Sequence, residues 1–476
     1  MKYDYDLAVI GAGTAGLVSS VIADTLGAKV ALIEKERVGG ECLWTGCVPS
    51  KTLIRSAKVR ELVGRSEEFG VHVEKPRVVW SALKLRIADV RDEIRRLERA
   101  ELDKSSVEVV QGTAHFQDAH TLRITGKSGE RTLTARKFIL ATGSQARIPN
   151  IPGLSETPYL TYRDVYTLPT LPRSMGIIGG GPIACEFAQA FTRLGCKVTV
   201  FQSEDRLLPR DDPEASAVLQ LILENEGVAV HLGSKVESVS SGGADSSATV
   251  TWHKEGESQN ATFARLLVAV GKTHDWSELN PSAAGVQADE HGLTVTETLQ
   301  TTAKHIWACG DATGGPLYTH WAEHEAKIAA QNALLPVKAK RDQSALPWVT
   351  YTDPEVAHVG LTSQQARAAG EEVKVVREPF KRLDRAIIEG ETSGFLQVVT
   401  SGSGRILGAT LVGPSAGELL APWILAVRNG MLLSEFADAI FPYPTLSEIG
   451  HRAGNSSYQE LLQNKWVKKA LNLLVR

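Results

Sequence analysis

Cysteine is scarce in this chain, with five in 476 residues. That excludes the disulfide-stapled scaffold of small secreted domains. An excess of one charge is missing too: 52 Lys plus Arg face 55 Asp plus Glu, a formal net charge of −3. No global basic field is present to hold nucleic acid or an anionic membrane. No apolar run reaches the roughly 18 residues that would cross a bilayer. The opening stretch MKYDYDLAVIGAG runs straight into a strand pattern, which leaves no room for a secretory leader. Hydrophobic residues at 43% and charged residues at 22% suit packed globular domains. At roughly 150 residues per domain, about three domains are expected, in a soluble cytoplasmic protein.

The first segment alternates strand, glycine turn, helix and strand. Leu7–Ile10 is apolar, Gly11-Ala12-Gly13-Thr14-Ala15-Gly16 follows, Leu17–Leu26 has helical spacing, and Val30–Ile33 ends at Glu34. Such a unit builds a parallel sheet. The pattern returns with Met175–Ile178, Gly179-Gly180-Gly181-Pro182-Ile183-Ala184, a helix-like Cys185–Leu194 and a strand Val198–Phe201. Two copies mean two nucleotide-type domains, separated by a boundary that Pro149, Pro152, Pro158, Pro169 and Pro172 punctuate. Val59–Leu102 reads as a charged, helix-rich stretch. Ser240–Ala248 is a turn, and Ile306–Pro316 is a strand with a glycine turn ahead of a helix over Tyr318–Leu335. From about Ser344 the pattern becomes β-rich, then helical, as in a separate domain.

The first glycine motif aims backbone N–H groups and a helix N-terminus at a pyrophosphate. Gly11 permits the turn, Gly13 the close approach and Gly16 the helix–strand packing, while Glu34 stands where a carboxylate binds ribose hydroxyls. In the second unit Gly179 and Gly181 are kept and Ala184 takes the third place, which the motif tolerates. Gln202 stands where NAD-binding units carry an acid. No Arg occupies 202–204 to recruit a 2′-phosphate, and Glu204 would repel one, so NAD is favoured over NADP. Cys42 and Cys47, five residues apart in GGECLWTGCVPSK, can close across a helical turn. Two unrelated buried thiols are the plain alternative, and no second Cys or His pair lies nearby at zinc spacing. The surrounding glycines and Pro-Ser-Lys favour a redox-active disulfide, with no metal.

GAGTAG, GGECLWTGCVPSK, Ala141-Thr142-Gly143-Ser144, GGGPIACE, Ala308-Cys309-Gly310-Asp311-Ala312 and Pro444-Thr445-Leu446-Ser447-Glu448 occur in this order along the whole chain. This set resembles the flavoprotein pyridine nucleotide–disulfide oxidoreductases, which include dihydrolipoamide dehydrogenase and mercuric reductase. The resemblance implies an α/β fold with two Rossmann-like dinucleotide-binding domains, for FAD and NAD(P), plus a C-terminal α+β dimerisation domain. It places an FAD domain at 1–150, an NAD(P) domain at 151–272, an FAD-domain return segment at 273–345 and the interface domain at 346–476. It implies a homodimer in which this last domain completes the partner's active site. Carried over by position, Asp311 holds the FAD ribityl chain and Glu34 the adenosine ribose. Thr142, Gly143, Ser144 and Gly271 are among the cofactor contacts. Lys51 sits by the flavin N5 edge, paired with Glu186, because an unpaired buried charge is very costly. Cys47 is the flavin-side thiolate, its pKa lowered by Lys51 and a helix N-terminus. Cys42 is the outer thiol that exchanges with substrate, and hydride passes from nicotinamide to flavin before the electrons reach the disulfide.

The chain also departs from the family. Where disulfide reductases carry a histidine five residues before the glutamate, Tyr443 stands here, with Glu448 at the kept spacing. A phenol titrates near 10 and a histidine near 6.5, so Tyr443 is a poor base at neutral pH. His451 is nearby but reads as an ordinary helix histidine. Tyrosine at this place is similar to mercuric reductases, yet no Cys follows Cys309 to deliver a metal from the tail. Trp44 and Arg382-Leu383-Asp384-Arg385-Ala386 also fit a mercuric-reductase-like branch, and His320 is expected to start a helix facing the flavin pyrimidine edge. Cys185, Cys196 and Cys309 read as small buried residues. The first expectation is therefore an FAD-dependent NAD(P)H:disulfide or dithiol oxidoreductase of the dihydrolipoamide dehydrogenase type. The alternatives are metal-ion reduction and electron transfer to quinones or a second nicotinamide.

Overall fold

The computed structural model of the chain describes residues 2–127, 129–243, 246–254, 256–463 and 467–468. Leu7, Ala8 and Val9 have no solvent exposure at all. A strand buried on both faces belongs in the middle of a parallel sheet covered by helices, and Tyr5–Ile10 is in that position. It pairs in parallel with Val30–Glu34 on one side and Gly129–Leu140 on the other. Glu108–Gln111 extends the sheet beyond Val30–Glu34. Ile306–Ala308 pairs in parallel with Phe138–Leu140, so the chain comes back to its first sheet after completing the second.

The second sheet is parallel, in the order Ala229–His231, Lys197–Phe201, Ser174–Ile178, Arg265–Val268. A three-stranded antiparallel sheet, Val236–Ser241, Ala248–Lys254 and Glu257–Phe263, accompanies it. The two units are joined by a pair of two-residue strands, Gln145–Ala146 running out and Lys272–Thr273 running back. The third unit is a five-stranded antiparallel sheet in the order Pro347–Thr350, Glu355–Gly360, Ile406–Gly413, Phe395–Ser401, Val373–Pro379. Its two central strands are buried throughout, packed under helices that include Ala421–Asn429. This is the expected α/β architecture with two dinucleotide-type domains and an α+β third. No helix among the described residues is long and apolar enough to cross a membrane.

The glycine turns work as read. Gly11 has φ +99°, and a Cβ there would lie 2.3 Å from the Ala141 carbonyl oxygen. A Cβ on Gly16 would lie 1.7 Å from Gly11 O, so helix and strand touch backbone to backbone. The helices begin earlier than the apolar spacing indicated, at Thr14 and Pro182, because the glycine turn itself supplies the first helical residues. The stretch read as one helix-rich block is two helices, Cys47–Gly64 and Trp80–Leu102. Gly70, at φ +72°, and Pro76 lie in the break between them.

Charge ties the second unit to the third at one buried place. Arg193, 7% exposed, reaches Glu226 at 2.7 Å and Asp353 of the third unit at 2.7 Å. Arg193→Leu would leave two carboxylates without their cation, and breaking a buried pair costs about 3–5 kcal/mol. A chemical-denaturation midpoint shifted by that amount is the expected result, against a near-neutral effect for an exposed pair such as Lys340–Glu297.

Candidate active site

Cys42 lies in a short helix, Gly40–Trp44, and Cys47 is the first residue of the long helix Cys47–Gly64. Between them the backbone leaves helical geometry at Gly46, whose φ of −100° and ψ of −110° break the run. The pair therefore closes across a break between two helices, not across one turn of a single helix. Both sulfurs are free thiols joined by a hydrogen bond. That bond holds the Cys47 thiol below the ordinary range; Thr319, Lys51 and Lys272 act in the same sense against the opposing effect of burial. The same bond to Cys47, with burial, pushes Cys42 up. Position at a helix N-terminus adds to the preference for a thiolate on Cys47.

Lys51 stands one helical turn after Cys47. Its Nζ donates to both Glu186 oxygens, at 3.1 and 2.8 Å, and lies 4.4 Å from the centre of the Tyr351 ring. Glu186 is buried and also accepts the Tyr351 backbone N–H at 2.9 Å. Burial opposes the charge on Lys51, but Glu186 outweighs it and the ammonium titrates above its ordinary range. The expected Lys51–Glu186 pair is thus present, joining the helix that carries Cys47 to the helix that follows the second glycine turn.

The nucleotide residues form a continuous cradle. Glu34 accepts the Ala12 N–H at 2.7 Å and the Glu36 N–H at 2.6 Å, which leaves lone pairs free for ribose hydroxyls. Asp311 accepts the Ser144 hydroxyl at 2.6 Å and lies 3.2 Å from Lys272 Nζ. Gly13 faces Gly40, where a Cβ on Gly40 would lie 2.5 Å from Gly13 Cα, whereas Gly143, Gly181 and Gly271 face open space. Thr142 lies between Ala141 and Gly143, beside Gly11. The hydroxyls of Tyr162 and Tyr166 are buried without a partner, Tyr162 near Glu41 and Lys272 and Tyr166 near Ser50 and Cys47. A glycine cradle at a helix N-terminus, a ribose carboxylate and unused buried hydroxyls beside the sulfurs fit FAD.

Some expected residues lie elsewhere. His320 does not face the sulfur pair: its ring is exposed, stacks on Tyr318 and lies 2.8 Å from the Pro347 carbonyl. The inward place at the start of helix Thr319–Leu334 belongs to Thr319, whose Oγ1 is 3.3 Å from Cys47 Sγ. Gln202 is turned inward rather than presented to a ribose. Its Nε2 donates to Arg206 O at 3.1 Å, and its side chain packs against Gly180. Tyr443 is 70% exposed and donates to Asp384 at 2.8 Å, which pushes the phenol's pKa up. Glu448 holds Arg452 at 3.1 Å, while its second oxygen is buried and unpaired. The partners of Tyr443 and Glu448 thus lie in the third unit and not at the cysteines. His451 sits beside Phe441 and Asn455. The Trp44 ring receives two guanidinium groups, Arg37 at 4.2 Å and Arg91 at 5.0 Å from its centre. Burial raises the thiols of Cys185, Cys309 and Cys196, the last to about 12.

The family described as "Pyridine nucleotide-disulphide oxidoreductase" matches residues 5–326, and its dimerisation domain matches residues 346–453. The chain is 34% identical over 450 residues to a mercuric reductase of Bacillus cereus, covering 94% of this chain and 70% of that protein. It is also 34% identical over 453 residues to a dihydrolipoyl dehydrogenase of Bacillus subtilis (strain 168), covering 94% and 97%. Among solved structures, the Cu(II) complex of the HOCl-induced flavoprotein disulfide reductase RclA from Escherichia coli superposes with a TM-score of 0.85 at 30% identity. It covers 96% of this chain and 100% of that one.

The lowered Cys47 pKa carries a sign. A group depressed in the folded state stabilises it above the ordinary thiol range and loses that contribution as pH falls through the folded value. Thermal unfolding of the reduced protein should therefore show stability falling on acidification below the ordinary thiol range. Cys47→Ser should lack that slope, and Thr319→Val should move it to higher pH.

Proposed function

The chain belongs to the pyridine nucleotide-disulphide oxidoreductase family, and from that premise we propose that its electrons leave through Cys42 to a thiolate-bound metal ion. The enzyme is an FAD-dependent pyridine nucleotide–disulfide oxidoreductase; the acceptor is the finer question. FAD, when bound, would supply the two-electron chemistry that links the nicotinamide to the Cys42–Cys47 pair. Gly11, Gly13, Gly16, Glu34, Ser144 and Asp311 would hold it. Lys51, kept charged by Glu186, balances the negative charge that arrives with the electron pair. Cys47 keeps the thiolate, and Cys42, whose pKa lies higher, keeps the proton until an acceptor takes its place.

One observation favours a metal ion: the group at the histidine position is the Tyr443 phenol, tied to Asp384 and raised in pKa. Exchange with a dithiol needs a proton moved at the outer thiol, and acid–base help there is typically worth about 10²–10⁴-fold. A metal ion held by both sulfurs needs no such base. Two electrons from the Cys47 thiolate and Cys42 thiol reduce one divalent ion to the metal, or two Cu(II) to Cu(I); the disulfide re-forms and the Cys42 proton passes to solvent. The RclA structure carries Cu(II), and the mercuric reductase relative is named for a metal ion; both support the reading. Dithiol chemistry of the dihydrolipoamide dehydrogenase type is the second reading, supported by the intact cysteine pair, by Glu448 and by the B. subtilis relative.

NAD is the favoured coenzyme, since no arginine follows strand Lys197–Phe201 before Arg206 and Glu204 is exposed there. A homodimer is proposed on the matched dimerisation domain and on apolar surface left open in one protomer, such as Ile440, which is fully exposed.

Steady-state oxidation of NADH with Hg(II) under excess thiol, or with Cu(II) in thiol-free buffer, should exceed turnover with lipoamide, and Cys42→Ala should abolish it. Metal-dependent turnover no faster than in Cys42→Ala would end the metal reading. Tyr443→His should raise lipoamide turnover by about 10²-fold or more if only the base is missing. Lipoamide turnover that is already dominant in the wild type would favour the second reading instead.

A further inference from the structure

Lys272 is a buried cation beside the sulfurs that the chemistry above does not use. It occupies the returning two-residue strand between the dinucleotide units. Its Nζ lies 3.1 Å from Glu41 Oε2, 3.2 Å from Asp311 Oδ2 and 5.6 Å from the centre of the Tyr162 ring. The side chain is 16% exposed. Burial opposes its charge, yet Asp311 and Glu41 together hold it above the ordinary lysine range. Glu41 directly precedes Cys42 and shares its helix. Three stretches far apart in sequence thus meet at one ammonium group: the cysteine helix, the interdomain strand and the Asp311 turn.

The groups that act on the Cys47 thiol are Cys42, Thr319, whose Oγ1 is 3.3 Å from the sulfur, Lys51 and Lys272. Tyr166 and Tyr351 also feel its charge, and Glu186 is bound to Lys51. Lys51 is neutralised by a carboxylate of its own. Lys272 is shared between two carboxylates, so the balance at that corner depends on both Glu41 and Asp311.

We propose that Lys272 is a positioning residue of the redox centre, which anchors the Cys42 helix through Glu41 and places a second positive charge in the field of the Cys47 sulfur. The inference rests on the reading of Cys47 as the flavin-side thiol. A nearby positive charge favours a thiolate and a nearby negative charge disfavours it. Removing the cation and removing its carboxylate therefore have opposite effects. If the contact were a mechanical anchor only, the two removals would act alike.

The test uses FAD-loaded protein in a Cys42→Ser background, where Cys47 is the lone thiol of the pair and the flavin stays oxidised. The long-wavelength absorbance of a thiolate lying against flavin is followed as a function of pH. Lys272→Met should move the midpoint up, Glu41→Gln should move it down, and Lys272→Arg should leave it close to the parent. Unchanged midpoints, or shifts of the same sign in Lys272→Met and Glu41→Gln, overturn the proposal. If Lys272→Met does not retain FAD, Glu41→Gln decides alone, and a midpoint that fails to fall overturns it. Absence of the absorbance in the Cys42→Ser parent itself would overturn the Cys47 assignment instead.

Discussion

A sulfur that keeps a negative charge inside a folded protein is the constraint around which this molecule is arranged. A thiolate in a buried place is stable only if cations and hydrogen-bond donors replace the water it has lost. Here the donors are Cys42 and Thr319 and the cations are Lys51 and Lys272. Each cation, once buried, needs a carboxylate in turn, which explains Glu186 on one side and Glu41 with Asp311 on the other. Following the charges outward from Cys47 leads to the second glycine-turn helix, to the interdomain strand and to the Asp311 turn. Domain arrangement and sulfur chemistry are thus one electrostatic problem.

The fold was largely legible because its signals are local. Apolar runs followed by glycine turns forced both dinucleotide units, and Gly11 and Gly16 leave no room for a side chain. Cys42, Cys47, Lys51 and Glu186 were legible because each lies in a dense run of unusual residues. Thr319 and Lys272 were not, since a single threonine at a helix start and a single lysine on a two-residue strand carry no pattern. Their importance arises only when distant segments meet. The start of helix Thr319–Leu334 places neighbouring residues on different faces, so Thr319 meets the Cys47 sulfur while the His320 ring lies against the Pro347 carbonyl. The two-helix break at Gly46 was equally hidden, because a glycine permits the φ of −100° and ψ of −110° found there without announcing them.

The third unit shows where one protomer ceases to explain itself. Tyr443 is open to solvent and Ile440 fully so, while one oxygen of Glu448 is buried and unpaired. Around them Asp384, Arg452 and the Arg382 carbonyl form a small polar network. Polar satisfaction is usually nearly complete in a finished interior. A half-satisfied cluster next to exposed apolar residues is the surface of something to be covered, in keeping with the dimerisation-domain match over residues 346–453.

The uneven distribution of the five cysteines has a practical consequence for a molecule that handles electrons. Cys185, Cys196 and Cys309 are buried, with thiols held well up by that burial; Cys42 and Cys47 alone are partly open to solvent, and of these Cys47 is the one whose thiol is lowered. An electrophile or peroxide arriving from outside therefore finds one pair of sulfurs, and that pair can heal by closing on itself. Damage and function converge on the same bond, so an oxidised molecule is simply one waiting for its next hydride.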